Sequence, residues 1–215
     1  MLQMDKIRRF GSDSSGNLFV QPVDEHDMEL MASEAEHVRR LSGSADFSIL
    51  AVPVSDWDRD LTPWSADPVF GKRPFGDGAP VSLRQLEDAG LLSRRCCLCG
   101  YSLAGLFALW AAYQTDGLSG AAAVSPSVWY PGWIAYAEKG RPLVPAVYLS
   151  LGDREERARN PVMASVGDAV RAQHGLLLSA GIKTALEWNP GSHFADSGLR
   201  VAKGIAWMLK EMMLK

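Results

Sequence analysis

The sequence predicts an α/β fold with a mostly parallel sheet covered by helices on both faces. Three observations carry this expectation. Apolar runs alternate with amphipathic stretches along the whole chain. Such strand, helix, strand, helix order implies βαβ units. The runs around Cys96 and Tyr148 are apolar at successive positions, as in strands buried on both sides. The length of 215 residues suits one domain with a sizeable core.

In chain order, residues 1–16 hold no continuous apolar run and are expected to form a flexible N-terminus. Leu18 to Val23 (LFVQPV) reads as the first strand. The Glu-rich stretch Glu25 to Arg40 places Met28, Leu30, Met31, Ala35 and Val38 at near-helical spacing. Phe47 to Val54 is a second strand, with Pro53 at its end or at a bulge. Residues 55–80 hold four prolines, three glycines, Trp57 and Trp64. A loop this long is usually functional or disordered, and two tryptophans argue against disorder. It is expected to pack over the body and wall a pocket. Then follow a helix at Val81 to Leu91, a strand at Arg95 to Gly100 and a helix at Leu103 to Gln114. A strand covers Gly120 to Val124, another lies within Pro142 to Leu151, and a helix spans Pro161 to Ala180. The last elements are a strand at Lys183 to Trp188 and a helix at Gly198 to Leu214.

Bulk properties narrow the function classes. The chain is 47% hydrophobic and 22% charged, with net charge −3, which gives no reason to expect nucleic acid or an anionic membrane as a partner. No apolar stretch reaches the roughly 20 residues that span a bilayer, and residues 1–16 lack a signal-peptide core. Cys96, Cys97 and Cys99 are odd in number, fit no zinc spacing and sit in an apolar strand. They read as buried free thiols, and a cytoplasmic location is expected. The sequence implies no metal and no cofactor, and leaves the oligomeric state open, a homodimer included.

In open α/β sheets the chemistry lies beyond the carboxyl ends of the strands. One such end reads Cys99-Gly100-Tyr101-Ser102-Leu103-Ala104-Gly105, after an apolar strand and before an apolar helix. That is the context of a nucleophile elbow, whose sharp turn exposes the serine hydroxyl. It also sets the Leu103 N–H at a helix N-terminus, where it can stabilise an oxyanion. The usual pattern is G-x-S-x-G; here Ala104 stands at the last position and Gly105 follows it. A plain strand–turn–helix with a serine in the turn is the bland alternative.

Of four histidines, His37 and His174 lie in charged helical stretches and read as solvated. His26 follows the first strand and could border a pocket. His193, in Asn189-Pro190-Gly191-Ser192-His193-Phe194, sits after the last strand, on the same sheet edge as Ser102. A general base must come within about 3 Å of the serine proton, and the order Ser, acid, His predicts this placement. The acid is expected after the strand ending at Gly152. Gly-x-x-acid spacing ranks Glu155 first and Asp153 second, while Glu156 reads as part of a solvated charge cluster.

The segments GYSLAGLFALWA, AAAVSPSVWYPG, VYLSLGDREE and WNPGSHF together resemble the esterase family that includes esterase D-like and enterochelin-esterase-like α/β hydrolases. The resemblance runs from about Leu18 to the C-terminus. It implies an α/β-hydrolase fold and a carboxylic-ester hydrolase acting on a small-molecule ester. Carried over, Ser102 is the nucleophile, His193 the base and Glu155 the acid, where many relatives have Asp. Ser125 to Trp129 would border the site, which makes Ser127 and Trp129 substrate-binding candidates with Tyr101, Trp57 and Trp64. The tryptophans also fit ordinary core packing. The second oxyanion donor maps by position alone to Asp24 or Glu25. Relatives commonly carry strands before the one at Leu18, so a shortened N-terminal edge is expected. The same triad could attack thioesters, lactones or peptides; a non-catalytic binding protein of this fold is the contrasting reading.

Overall fold

In a computed structural model, which describes residues 1–93 and 95–213, seven strands form one sheet in the order β1-β3-β2-β4-β5-β6-β7. The strands are β1 (Arg8–Gly11), β2 (Leu18–Val23), β3 (Ser48–Pro53), β4 (Cys96–Tyr101), β5 (Gly120–Val124), β6 (Ala146–Gly152) and β7 (Lys183–Asn189). All neighbours pair in parallel except β1, which runs antiparallel to β3. Every residue of β4, β5 and β6 is buried, as parallel strands covered on both faces must be.

The helices are α1 (Glu25–Ser42), α2 (Trp57–Asp60), α3 (Ala79–Asp88), α4 (Leu103–Ala111), α5 (Trp133–Ala137), α6 (Pro161–Ala164), α7 (Val166–Ser179) and α8 (Ser197–Met213). Met31, Ala35 and Val38 of α1 and Val201, Ala202, Ile205, Met208 and Leu209 of α8 fill the core on one face. The other face is covered by α3, α4, α5 and α7. All nine residues of α4 are buried, so its apolar, Ala- and Leu-rich sequence serves both helix propensity and burial. At the start of α1, Asp24 Oδ1 accepts from the Asp27 N–H at 2.7 Å. At its end Gly43 takes a left-handed conformation, φ 68°, and donates its N–H to the Arg39 carbonyl.

Four features depart from the sequence reading. Residues 1–16, expected to be flexible, carry β1, and Leu2 is buried with its N–H donated to Gln85 Oε1 at 3.0 Å. The expected shortened edge therefore holds a strand before Leu18. Arg8 and Arg9 hid it from apolar patterning, and charges are common on edge strands. The expected helix 161–180 breaks at Ser165, whose N–H and hydroxyl both bond the Val162 carbonyl three residues back. Segment 55–80 is not all loop: it contains α2 and the first two residues of α3. Asn160 Nδ2 donates to the Val69 carbonyl at 2.6 Å and pins it to the body. The expected end of the last helix at Leu214 lies outside the described residues.

The cysteines are buried and form no disulfide among the described residues, and burial pushes the Cys96 thiol up to about 12. Among the described residues no helix is long and apolar enough to cross a membrane.

β2 leads through α1 to β3 on one side, whereas β4 lies on the other side of β2. This reversal opens a crevice at the carboxyl ends of β2 and β4. Asp24 and Ser102 stand at its two lips.

Candidate active site

The turn from β4 into α4 is tight because of what its small residues permit. Ser102 has φ 57° and ψ −120°, a positive-φ conformation costly for a residue with a side chain. A Cβ on Gly105 would lie 3.0 Å from the Gly100 carbonyl oxygen and 3.1 Å from that of Val124. Strand and helix thus approach closely, and the strained serine is held from both sides: its N–H donates to the Val124 carbonyl, and its own carbonyl accepts from the N–H groups of Leu106 and Ser127. Leu103 opens α4, where the first amides have no acceptor within the helix.

His193 follows β7 and Glu155 follows β6, so both reach the same sheet edge as Ser102. His193 Nε2 lies 3.1 Å from Ser102 Oγ, and His193 Nδ1 lies 2.7 Å from Glu155 Oε2. A carboxylate can only accept, so Nδ1 carries the ring proton and Nε2 is free to accept from the serine hydroxyl. Glu155 Oε1 accepts from Ser125 Oγ at 2.7 Å, from the Gly152 N–H at 2.7 Å and from Arg200 Nη1 at 3.2 Å. Burial raises the Glu155 carboxyl, but the hydrogen bonds and charge of His193, with those of Ser125 and Gly152, outweigh it and hold the group below its ordinary value. An ionised acid beside a half-buried imidazole is the arrangement that stabilises an imidazolium.

The other two acids of the run are engaged elsewhere. Asp153 Oδ1 accepts from the Gly191 N–H at 2.8 Å and braces the histidine loop. Glu156 Oε2 pairs with Arg171 at 2.8 Å.

Two hollows meet at Ser102 and His193. One, about 400 Å³, is lined by Leu103, Trp57, Phe70, Ser127, Trp129 and Met163. Phe70, Phe75 and Trp129 form a ring cluster behind it, with centroids 5.6–6.1 Å apart. The other, about 280 Å³, is lined by Asp24, His26, Asp27, Tyr101, Trp57 and Ser197. Burial, followed by the charge of Asp24, pushes the Asp27 carboxyl up to about 6. The carboxylate of Asp24 is occupied as the cap of α1.

Of the residues expected to line the site, Tyr101, Trp57, Ser127 and Trp129 border these hollows. Trp64 does not. Its Nε1 donates to the Pro131 carbonyl at 2.9 Å, and its ring packs against Tyr130, Trp133 and Tyr136. There it ties segment 55–80 to α5, the core-packing role that was the alternative. Phe70, Met163, Phe194 and Arg200 were not singled out in the sequence, and Ser125 was named only as the start of the bordering segment, not as a partner of Glu155. Ser125 had a usable signal, since it stands at a strand end before Pro126. Arg200 had none: an arginine among Lys203 and Lys210 reads as surface charge.

No family model and no curated protein matches the sequence. Solved structures do. The siderophore hydrolase EstA from Aspergillus nidulans is 22% identical, with a TM-score of 0.66 over 94% of this chain and 85% of that one. The Bacillus cereus carboxylesterase is 15% identical, with a TM-score of 0.62 over 98% and 94%. The enterobactin esterase FES from Shigella flexneri is 13% identical, with a TM-score of 0.68; 96% of this chain spans 55% of that one. At such identities the shared property is the fold. The chain has the α/β-hydrolase fold of these esterases.

Proposed function

We propose that the protein is a serine hydrolase that cleaves a small carboxylic ester through an acyl-enzyme. The observation that carries this reading is the line Ser102–His193–Glu155, with contacts of 3.1 and 2.7 Å, ending on a strained serine at a helix N-terminus. His193 Nε2 takes the hydroxyl proton as Ser102 Oγ bonds to the acyl carbon, and the carbonyl pair moves onto oxygen. The Leu103 N–H and a second amide at the β2–α1 junction, by Asp24, receive that oxyanion. Collapse breaks the bond to the alcohol oxygen, which takes the proton from His193. Water then gives a proton to His193 and attacks the acyl carbon. The second collapse returns the proton to Ser102 Oγ and releases the acid. Glu155 stays ionised throughout and holds the ring.

The apolar hollow beside Leu103 and Trp129 suits an uncharged acyl group. A cytoplasmic setting agrees with three buried cysteines that form no disulfide among the described residues. A fluorophosphonate probe tests the reading: it labels the wild type and spares Ser102→Ala. An unlabelled wild type, or equal labelling of both, defeats it. Hydrolysis of p-nitrophenyl esters of increasing chain length then defines the acyl preference.

A further inference from the structure

The charged side chain buried most deeply beside the Ser102–His193–Glu155 line has no part in the steps above. Arg200, on the first turn of α8, is 2% exposed. Its guanidinium reaches four separate chain segments. Nη2 donates to the Pro190 carbonyl at 2.8 Å and to the Ser192 carbonyl at 3.0 Å, on either side of Gly191 in the histidine loop. Nη1 donates to Glu155 Oε1 at 3.2 Å, after β6. It also lies 3.1 Å from the Tyr101 hydroxyl, next to the nucleophile, and 3.4 Å from Ser125 Oγ. Tyr101 passes the connection on by donating its hydroxyl to the His193 carbonyl at 2.6 Å.

We propose that Arg200 is the positioning residue of this site, setting the place of the His193 loop through Nη2 and the orientation and field of Glu155 through Nη1. The inference rests on the hydrolase reading for its catalytic meaning.

Two features show that the chain is built around this group. A Cβ on Gly152 would sit 2.9 Å from Arg200 Nη1, and one on Gly191 would sit 3.5 Å from Nη2. Gly152 ends the strand that leads to the acid, and its bare backbone leaves room for the guanidinium, whereas the Gly191 approach is an ordinary contact in the loop that delivers the base. Its chemistry is also specific. A planar fork of N–H donors can serve two carbonyls with one nitrogen and a carboxylate with the other, whereas a lysine ammonium is a single point. Burying a lone cation would be costly, and Glu155 supplies the compensating charge.

The electrostatic consequence has a definite sign. Arg200 already offsets the charge of Glu155, so it opposes a second positive charge on the imidazole. Removing it should favour the imidazolium. The other titratable groups around the ring are Tyr101 from β4, Asp24, His26 and Asp27 from the start of α1, Asp58 from α2, and Asp153 beneath the loop. All of these remain in an Arg200 variant, so a difference from wild type reports the guanidinium.

The test follows the His193 ring by NMR across pH in wild type, Arg200→Met, Arg200→Lys and Tyr101→Phe, with kcat and KM measured alongside. Arg200→Met should move the ring titration to higher pH by about half a unit or more. Arg200→Lys and Tyr101→Phe keep the charge and should leave the titration in place. Arg200→Lys should still lower kcat about tenfold with KM little changed, because the loop has lost its two-pronged anchor. If Arg200→Met does not fold, Arg200→Gln, neutral and with two N–H donors, takes its place. A neutral variant that folds without moving the titration overturns the proposal, as does an Arg200→Lys enzyme with unchanged kcat. The ring titration needs no turnover. A folded protein that hydrolyses no ester therefore defeats the hydrolase reading, while the titration still decides the role of Arg200.

Discussion

Gly100 and Ala104 face each other across the turn that carries Ser102: a Cβ on Gly100 would lie 2.6 Å from the Ala104 Cβ and 2.6 Å from its carbonyl carbon. The elbow thus tolerates alanine at its last position because the glycine before it supplies the space. Gly100→Ala should destabilise the protein by roughly 3 kcal/mol, since backbone cannot move aside as a flexible side chain would. Ala104→Gly should cost about 1 kcal/mol of helix stability and keep most activity. Urea midpoints and an ester assay on both variants check this pair of outcomes.

Asp153 and Glu155 are two residues apart but should differ sharply in consequence. Glu155→Gln replaces the acceptor of the Nδ1 proton and should lower kcat by about 10²- to 10⁴-fold. Asp153→Asn keeps an oxygen for the Gly191 N–H and should stay within about tenfold of wild type. Equal effects would show that neither acid acts through His193.

Glu155 should also leave a mark on acid stability. Its carboxyl ionises below the ordinary 4.5 in the folded protein. Its bonds therefore contribute fully above 4.5 and are lost as pH falls through the lower, folded value. The stability gap between wild type and Glu155→Gln should narrow in that acid range, as thermal melts at stepped pH would reveal.

Glu34 carries the opposite sign. It is 2% exposed between α1 and the sheet, Oε2 accepts from Gln21 Nε2 at 3.3 Å, and Oε1 has no hydrogen-bond partner among the described residues. Burial pushes its carboxyl up to about 8; the Gln21 bond lowers it and Asp27 adds to the rise. The unfolded chain ionises near 4.5, so stability from this residue falls as pH rises from 4.5 towards 8. Glu34→Gln removes that loss. The variant should gain on wild type across this window, by on the order of a few kcal/mol at pH 8. A gap independent of pH would contradict the assignment.

Trp129 is 9% exposed and closes the apolar hollow against Phe70. Trp129→Ala should raise KM for esters with long or aromatic acyl groups about tenfold, through lost apolar contact. Acetate esters, too short to reach the ring, should be little affected. A uniform loss across chain lengths would mean that acyl groups bind elsewhere.

Much of the framework was legible because it depends on local period and composition. β2, β5 and α4 begin where apolar patterning and turn residues place them, and Ser102 and His193 stand at strand ends in the expected order. β1 was hidden because its stabilisation is pairing with β3, which its two arginines do not announce. Trp64 was misplaced for a similar reason: an apolar ring fits a pocket wall and a core equally well, and only the position of α5 separates them.

By itself the sequence determined the alternation of strands and helices and which residue types could serve as nucleophile and base. It also narrowed the acid to a run of three. Only the tertiary structure decided that Glu155 meets His193 while Asp153 and Glu156 are engaged elsewhere, because neighbours in a turn diverge within one or two residues. It alone brought Arg200, 45 positions after Glu155, to that carboxylate. A buried charge is recognised by the partners that compensate it, and those partners are set by the fold rather than by proximity along the chain.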